Sequence, residues 1–368
     1  MTVAAAYDRA TVTRPARRAL PETPRQIRVG MPHLDAGGLS ENWLFRQAGD
    51  LHWEAIARRL DADTDELRGP DGDRLYPTVV AARARYQVPL SSVRENQVLS
   101  WTARVAPCGR SCAHGQLEAE LSPGGAELSL ELLTTFAARE PSGGLRTALP
   151  SARLAARWTT TSSHPVHPVQ AQTQDQDDLE IARLARAARR GEALRDDHFS
   201  GPASLVDLPR PVLGCVTHEP SPYADYNGAG LLYFASYITI ADTAERAIVR
   251  SRGLAPATVT TDWALGTSAI RRDVFYYANL ALGDSLIAEL LDLELVRDLP
   301  PDLRPKNDDG DDDDGGGDDD GGGQDRAAVK TRMRLRHART GHTIADLVTL
   351  RLLVSRDRER EQAAGRRP

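Results

Sequence analysis

The sequence predicts an α+β fold made of two tandem units, each a long helix wrapped by an antiparallel sheet. Three observations carry this. Two similar stretches, GLSENWLFRQAGDLHWEAI from Gly38 and GLLYFASYITIADTAERAI from Gly230, lie 192 residues apart and both read as helices. Each is followed by several strand-length runs. A polar stretch, Arg157 to Asp178, separates the two halves.

The elements follow in order. Residues 1–26, rich in Pro, Arg and Thr, read as a disordered arm. The N-terminal unit spans 27–156, with strand-like runs RLYPTVVAARARY, LSSVRENQVLSWTARVAP, SCAHGQLEAELS and AELSLELLTTFAARE after its helix. Residues 157–200 read as a linker carrying one helix, with apolar Leu179, Ile181, Leu184 and Ala187. The C-terminal unit spans 201–355, with TVTTDWAL, SAIRRDVFYYANLALGD, SLIAELLDLELVRD and VKTRMRLRHARTGHTIADLVTLRLLVSR after its helix. Strand alternation is plain where Val329, Thr331, Met333 and Leu335 interleave with charged residues. Residues 356–368 form a charged tail. At the offset of 192, Gly38 meets Gly230, Leu39 meets Leu231, Asp50 meets Asp242, Ala55 meets Ala247 and Ile56 meets Ile248, and an acid-and-glycine turn precedes each helix.

The formal charge is −6, and no basic stripe is concentrated enough for nucleic acid. The run Asn307 to Asp325 holds ten aspartates and reads as a solvated, disordered loop without calcium-ligand spacing. Removing it leaves a body of about +4, compatible with acidic or phosphate-bearing partners. The three cysteines, Cys108, Cys112 and Cys215, fit a reducing cytoplasm. No segment resembles a secretion signal or a membrane span, so the expectation is a soluble cytoplasmic protein.

Chemistry is expected at YADYNGAGLLYFASY, from Tyr223. A turn at Asn227, Gly228, Ala229, Gly230 and Leu231 that opens a helix would leave backbone N–H groups free, where the macrodipole favours negative charge. Asn227 also suits a helix cap. Tyr233 and Phe234 would supply aromatic walls or ordinary core. Tyr76, in GDRLYPTVV, sits where a turn meets a strand, and from the residues alone it reads first as an aromatic capping a strand end.

A long helix opened by a D-x-N-x-x-G-type turn and followed by an antiparallel sheet resembles the hot-dog fold. Two copies in one chain imply a double hot dog. GLSENWLFRQAGDLHWEAIARRL, DGDRLYPTVVAARARY, YNGAGLLYFASY and RRDVFYYANLALGDSL, in this order, resemble the bifunctional acyltransferase/decarboxylases of the leinamycin-biosynthesis type and their relatives in antibiotic polyketide pathways. The likeness runs over roughly 27–355, with the Asp-Gly insertion and the N-terminal arm as departures. It implies decarboxylation of methylmalonyl-CoA, transfer of propionyl to an acyl carrier protein, no cofactor beyond the coenzyme A thioester itself, and Tyr76 as the tyrosine implicated in the chemistry. Tyr76 would be a proton donor or an acyl acceptor; as a nucleophile it would need a base, and none is near in sequence. Asn227 with the N–H groups of Ala229 to Leu231 would hold the enolate oxygen. Monomer and homodimer both stay open.

The rivals are an acyl-CoA or acyl-ACP thioesterase or a dehydratase of the same fold, with Asp225 or Asp35 as base, and a non-catalytic acyl-carrier-binding protein. HPVH in the linker lacks ligand partners, CGRSC is not a C-x-x-C, and serine-hydrolase, P-loop and Rossmann motifs are missing, so no metal site is expected.

Overall fold

A computed structural model describes residues 25–140, 144–159, 179–190, 211–257, 259, 262–296, 299 and 327–353. The expected disordered arm (but for its last two residues), the acidic loop 307–325, the tail and the HPVH histidines lie outside them.

The N-terminal unit begins with strand β1 (Arg25–Arg28) and a small hairpin of β2 (Leu34–Asp35) and β3 (Gly38–Leu39). Helix α1 (Glu41–Arg59) follows, burying Leu44, Phe45, Ala48, Leu51, Ala55 and Ile56 at three- and four-residue spacing. Strands β4 (Leu75–Tyr86), β5 (Val98–Pro107), β6 (Cys112–Ser122), β7 (Ala126–Arg139) and β8 (Leu145–Thr147) complete it. The connection carries α2 (Ala152–Thr159) and α3 (Glu180–Arg189). The C-terminal unit holds β9 (Gly214–His218), α4 (Ser236–Arg252), β10 (Thr267–Tyr276), β11 (Leu286–Val296), β12 (Ala328–His337) and β13 (Thr343–Leu353). Helix α4 stops at Gly253, whose φ of 63° is left-handed and suits glycine.

One antiparallel sheet joins the halves in the order β1-β5-β6-β7-β4-β10-β13-β12-β11-β9, with β8 on the end of β7. The order reads the same from both ends: the strand before each helix is outermost, and the first long strand after each helix meets its twin at the centre. The sequence repeat is therefore a structural repeat. At the seam Arg85, Arg83 and Ala81 of β4 face Arg271, Asp273 and Phe275 of β10. Both long helices lie on one face, over a core continuous across the seam, from Leu44, Phe45 and Trp101 to Tyr237, Ile240 and Leu290. On the other face α3 seats Leu179, Ile181, Ala182 and Ala185 against Ala81, Leu133 and Phe275.

Buried charges cross the seam. Arg272 donates Nε and Nη2 to the Glu41 carboxylate at 2.8 and 2.7 Å and reaches Asp242 at 3.0 Å. Arg351 joins Asp242 to Glu245, which also accepts from Trp263 and Thr331. Each ion is thus paired and hydrogen-bonded, the condition under which burial is tolerated.

Two local expectations differ. TVTTDWAL is no strand where described: Asp262 there accepts from Ala264 N and from Arg246, which closes a turn. The helices start later than their stretches, at Glu41 and Ser236, because the residues before them form hairpins. Among the described residues no helix is long and apolar enough to cross a membrane.

Candidate active site

Tyr76 is the second residue of β4, opposite Ala137 of β7. A tight turn fixes the strand's start: Leu75 N donates to Leu67 O, Gly69 N to Asp73 O, and Arg68 Nη1 to Gly72 O. The half-buried Tyr76 ring meets the Trp53 ring edge-on at 6.2 Å, and the Arg74 guanidinium lies 5.3 Å from its centroid. The indole Nε1 of Trp53 is buried without a hydrogen-bond partner.

Asn227 lies in the other unit. The expected free N–H groups at a helix mouth are not what the structure shows. Residues 226–232 form a small hairpin, with Tyr226 bridged to Leu232, four residues before α4 begins. Asn227 Oδ1 accepts from Ala229 N at 3.0 Å and Leu231 N at 3.1 Å, and Gly230 N donates to Asn227 O. A short polar side chain has closed the turn on itself, which consumes the donors assigned to an oxyanion. Gly230, at φ 67°, is where the turn needs glycine. With Oδ1 committed, the Nδ2 group of Asn227 is the donor left for a ligand.

A cavity of about 680 Å3 joins the two. Tyr76, Asn227, Gly230, Leu231 and Tyr233 all line it, whereas Gly228 and Ala229 do not. The backbone N–H role for Ala229 and Leu231 falls, and what remains of the Asn227 turn is its side-chain amide and the Gly230–Leu231 wall. Arg139, the last residue of β7 and part of the same wall, donates Nη1 to Ala229 O at 2.7 Å and so ties the turn to the N-terminal sheet. Tyr233 serves as wall rather than acid: its ring lies under Arg46, its hydroxyl donates to Arg46 O, and burial, then the Asp50 charge, push its phenol well up. Tyr237 and Tyr276 likewise donate to the carbonyls of Ala278 and Phe234.

His52 also reaches the wall. Its Nε2 lies 2.9 Å from Thr134 Oγ1, and its ring fills the space that a side chain on Gly115 would take. Burial, then His114, push it down to about 3, so it is neutral. Among the described lining residues there is no aspartate or glutamate, while Arg139, Arg146 and Arg189 are all present. Neither proposed base is on the wall: Asp225 accepts from Ser221 N and Asp35 from Gly37 N. Trp53, Arg139 and Arg189 escaped the sequence reading because they approach from a helix, a strand end and the connection, with no local motif.

The twin of this site differs in its residues and packing. The same offset sets Ser268 where Tyr76 stands and Asp35 where Asn227 stands. Ser268 is buried and accepts from Ser91 N, and Gly38 is pressed on Leu90 O so closely that a Cβ would lie 2.3 Å away.

No family model matches the sequence, and no curated protein does. Solved structures do. A Lactobacillus plantarum protein assigned as an oleoyl thioesterase superposes with a TM-score of 0.52 at 11% identity, covering 90% of this chain and 95% of that one. The fold is a double hot dog. The 12:0-ACP thioesterase from Umbellularia californica is similar too, at TM-score 0.49 and 8% identity, covering 89% of this chain and 92% of that one. Within the double hot dog, the cavity lies where residues of the two units meet.

Proposed function

We propose that the protein is an enzyme acting on acyl thioesters in the cavity shared by Tyr76 and Asn227, and that it decarboxylates a methylmalonyl-type coenzyme A ester and passes the acyl group to a carrier protein. The observation that carries this reading is the chemistry of the wall: amide and phenol donors from opposite units, aromatic surfaces, and no carboxylate among the described lining residues. Decarboxylation of such a thioester needs no base. The bond from Cα to the carboxylate breaks, carbon dioxide leaves, and the electron pair moves into a thioester enolate. Asn227 Nδ2 would donate to the enolate oxygen, a contribution of about 10²–10³ in rate for one such donor. A proton returned to Cα, with Tyr76 as candidate donor, gives the saturated acyl group. The carrier thiol then attacks the carbonyl, the bond to the coenzyme A sulfur breaks, and the incoming thiol's proton leaves with the coenzyme A thiol. Aromatic walls keep water from the carboxylate and from the acyl group.

A second reading is hydrolysis. It is favoured by the neighbours named as thioesterases, whereas a hydrolase of this kind calls for a carboxylate or equivalent to activate water. Incubation with methylmalonyl-CoA and a carrier protein separates the two. Carbon dioxide and acylated carrier are expected, and both should fall in Tyr76→Phe. Free methylmalonate and coenzyme A without carbon dioxide would make the protein a hydrolase.

A further inference from the structure

Helix α3 belongs to the connection between the units, yet its last turn reaches the candidate site. Arg189 lines the same cavity as Tyr76 and Asn227. The helix is anchored there twice. Its apolar face packs on Ala81, Leu133 and Phe275, and Glu180 in its first turn pairs with the buried Arg83 at 2.9 Å. Of the three guanidinium groups on the wall, two are committed. Arg139 donates to Ala229 O, and Arg146 meets Asp73 at 2.6 Å. Arg189 is exposed; its charge reaches the buried Cys112 thiol, and it forms no ion pair with a carboxylate among the described residues. An exposed guanidinium without a carboxylate partner, on a wall that carries no described carboxylate, is suited to a planar or tetrahedral oxyanion, which it meets with two parallel N–H donors.

We infer that Arg189 is a specificity-determining residue that receives the phosphate of a pantetheine arm, the group common to coenzyme A and a loaded carrier protein. This rests on the acyl-thioester reading. Such a substrate offers two anions, and reactivity decides between them. A carboxylate about to leave as carbon dioxide must give up its charge, so a guanidinium clamped on it would stabilise the starting state against the reaction. The phosphate never reacts. Holding it binds substrate and transition state alike and orients the thioester along the cavity toward Tyr76 and Asn227.

Binding alone tests the inference. Dissociation constants are measured for coenzyme A, phosphopantetheine and unphosphorylated pantetheine with the full chain and with Arg189→Gln and Arg189→Lys, with circular dichroism as the folding control. The full chain should bind phosphopantetheine about tenfold or more tighter than pantetheine, as one charge-assisted contact implies. Arg189→Gln should abolish that ratio and Arg189→Lys should keep part of it. Equal binding of the two pantetheines, or a ratio unchanged in Arg189→Gln, overturns the inference. Dependence on Arg189 with coenzyme A but not with phosphopantetheine also overturns it, since the nucleotide phosphates would then be the ligand. The acyl-thioester reading fails separately: a chain that binds phosphopantetheine through Arg189 but releases neither carbon dioxide nor thiol refutes the chemistry and leaves the subsite standing.

Discussion

On the proposed reading Asn227 has two jobs, which one pair of substitutions can separate. Its Oδ1 holds the turn through the N–H groups of Ala229 and Leu231, at 3.0 and 3.1 Å, while its Nδ2 is the donor assigned to the enolate. Asn227→Ala removes both. Two hydrogen bonds in a half-buried turn are worth about 1–3 kcal/mol together, so the alanine variant should lose stability by up to that amount, and activity with it. Asn227→Asp keeps an oxygen for the two N–H groups and takes away only the donor. Its turn should hold, and its unfolding free energy should stay within about 1 kcal/mol of the parent. Its kcat for carbon dioxide release should nonetheless fall about 10²–10³-fold, since the donor is gone and a negative charge stands where the enolate oxygen would form. Carbon dioxide and thiol release are followed at saturating methylmalonyl-CoA, beside chemical denaturation of both variants. An aspartate variant that keeps kcat within about threefold of the parent would refute the assignment, because the loss of an oxyanion donor does not pass unnoticed.

Other consequences follow from the packing. Gly115→Ala places a Cβ 2.1 Å from His52 Nδ1, so chemical denaturation should show a loss of about 1–3 kcal/mol from overpacking. His52, held neutral to about pH 3 against an ordinary 6.5, makes the unfolded chain the better proton acceptor between those values. Stability should therefore fall as pH drops from about 6.5 toward 3, by up to about 1.4 kcal/mol per pH unit from this group, and should be flat above that range; His52→Gln should flatten the slope measured by denaturant titration. With a buried, hydrogen-bonded Ser268 in place of Tyr76 in the twin, calorimetric titration with a non-hydrolysable acyl-CoA analogue should give one site per chain, and two would mean that the twin binds as well.

Much of the fold is legible in the sequence because its signals are local. Leu44, Phe45, Ala48 and Leu51 mark a helix face, Val329 to Leu335 mark a strand, and the offset of 192 marks the duplication. Tyr76 and Asn227 are legible as candidates, and they do meet one cavity. What the Asn227 turn does with its own N–H groups is not legible. An asparagine side chain serves equally well as a helix cap or as a turn that closes on itself, and only the backbone geometry decides. The burial of the β10 charges is not legible either, for a different reason. Arg271, Arg272 and Asp273 stand in succession, yet Arg272 is fully buried, and the partner that makes this tolerable, Glu41, lies 231 residues away in sequence. Arg139 and Arg189 belong to the same class: their sequence neighbours carry no motif, and their place in the site comes from topology.

The position of the cavity ties the proposed chemistry to the join between the units. Tyr76 belongs to one unit and Asn227 to the other, so any slip of the central β4–β10 pair would change their separation directly. Hydrophobic packing alone tolerates small shifts, since apolar contact has little direction. Paired buried charges do not tolerate them, because a guanidinium moved off its carboxylate is left desolvated and unmatched. The cluster of Glu41, Arg272, Asp242, Arg351 and Glu245 links α1 of the first unit to α4, β10 and β13 of the second. Arg83 and Asp273 do the same on the opposite face at 2.7 Å. Both faces of the seam are thus pinned by groups that are costly to separate, which holds phenol and amide at a fixed separation before any substrate arrives. Preorganised donors of that kind require no rearrangement as charge develops, and that gives a reason for so many charges being buried at this seam when apolar residues of similar size would fill the same space.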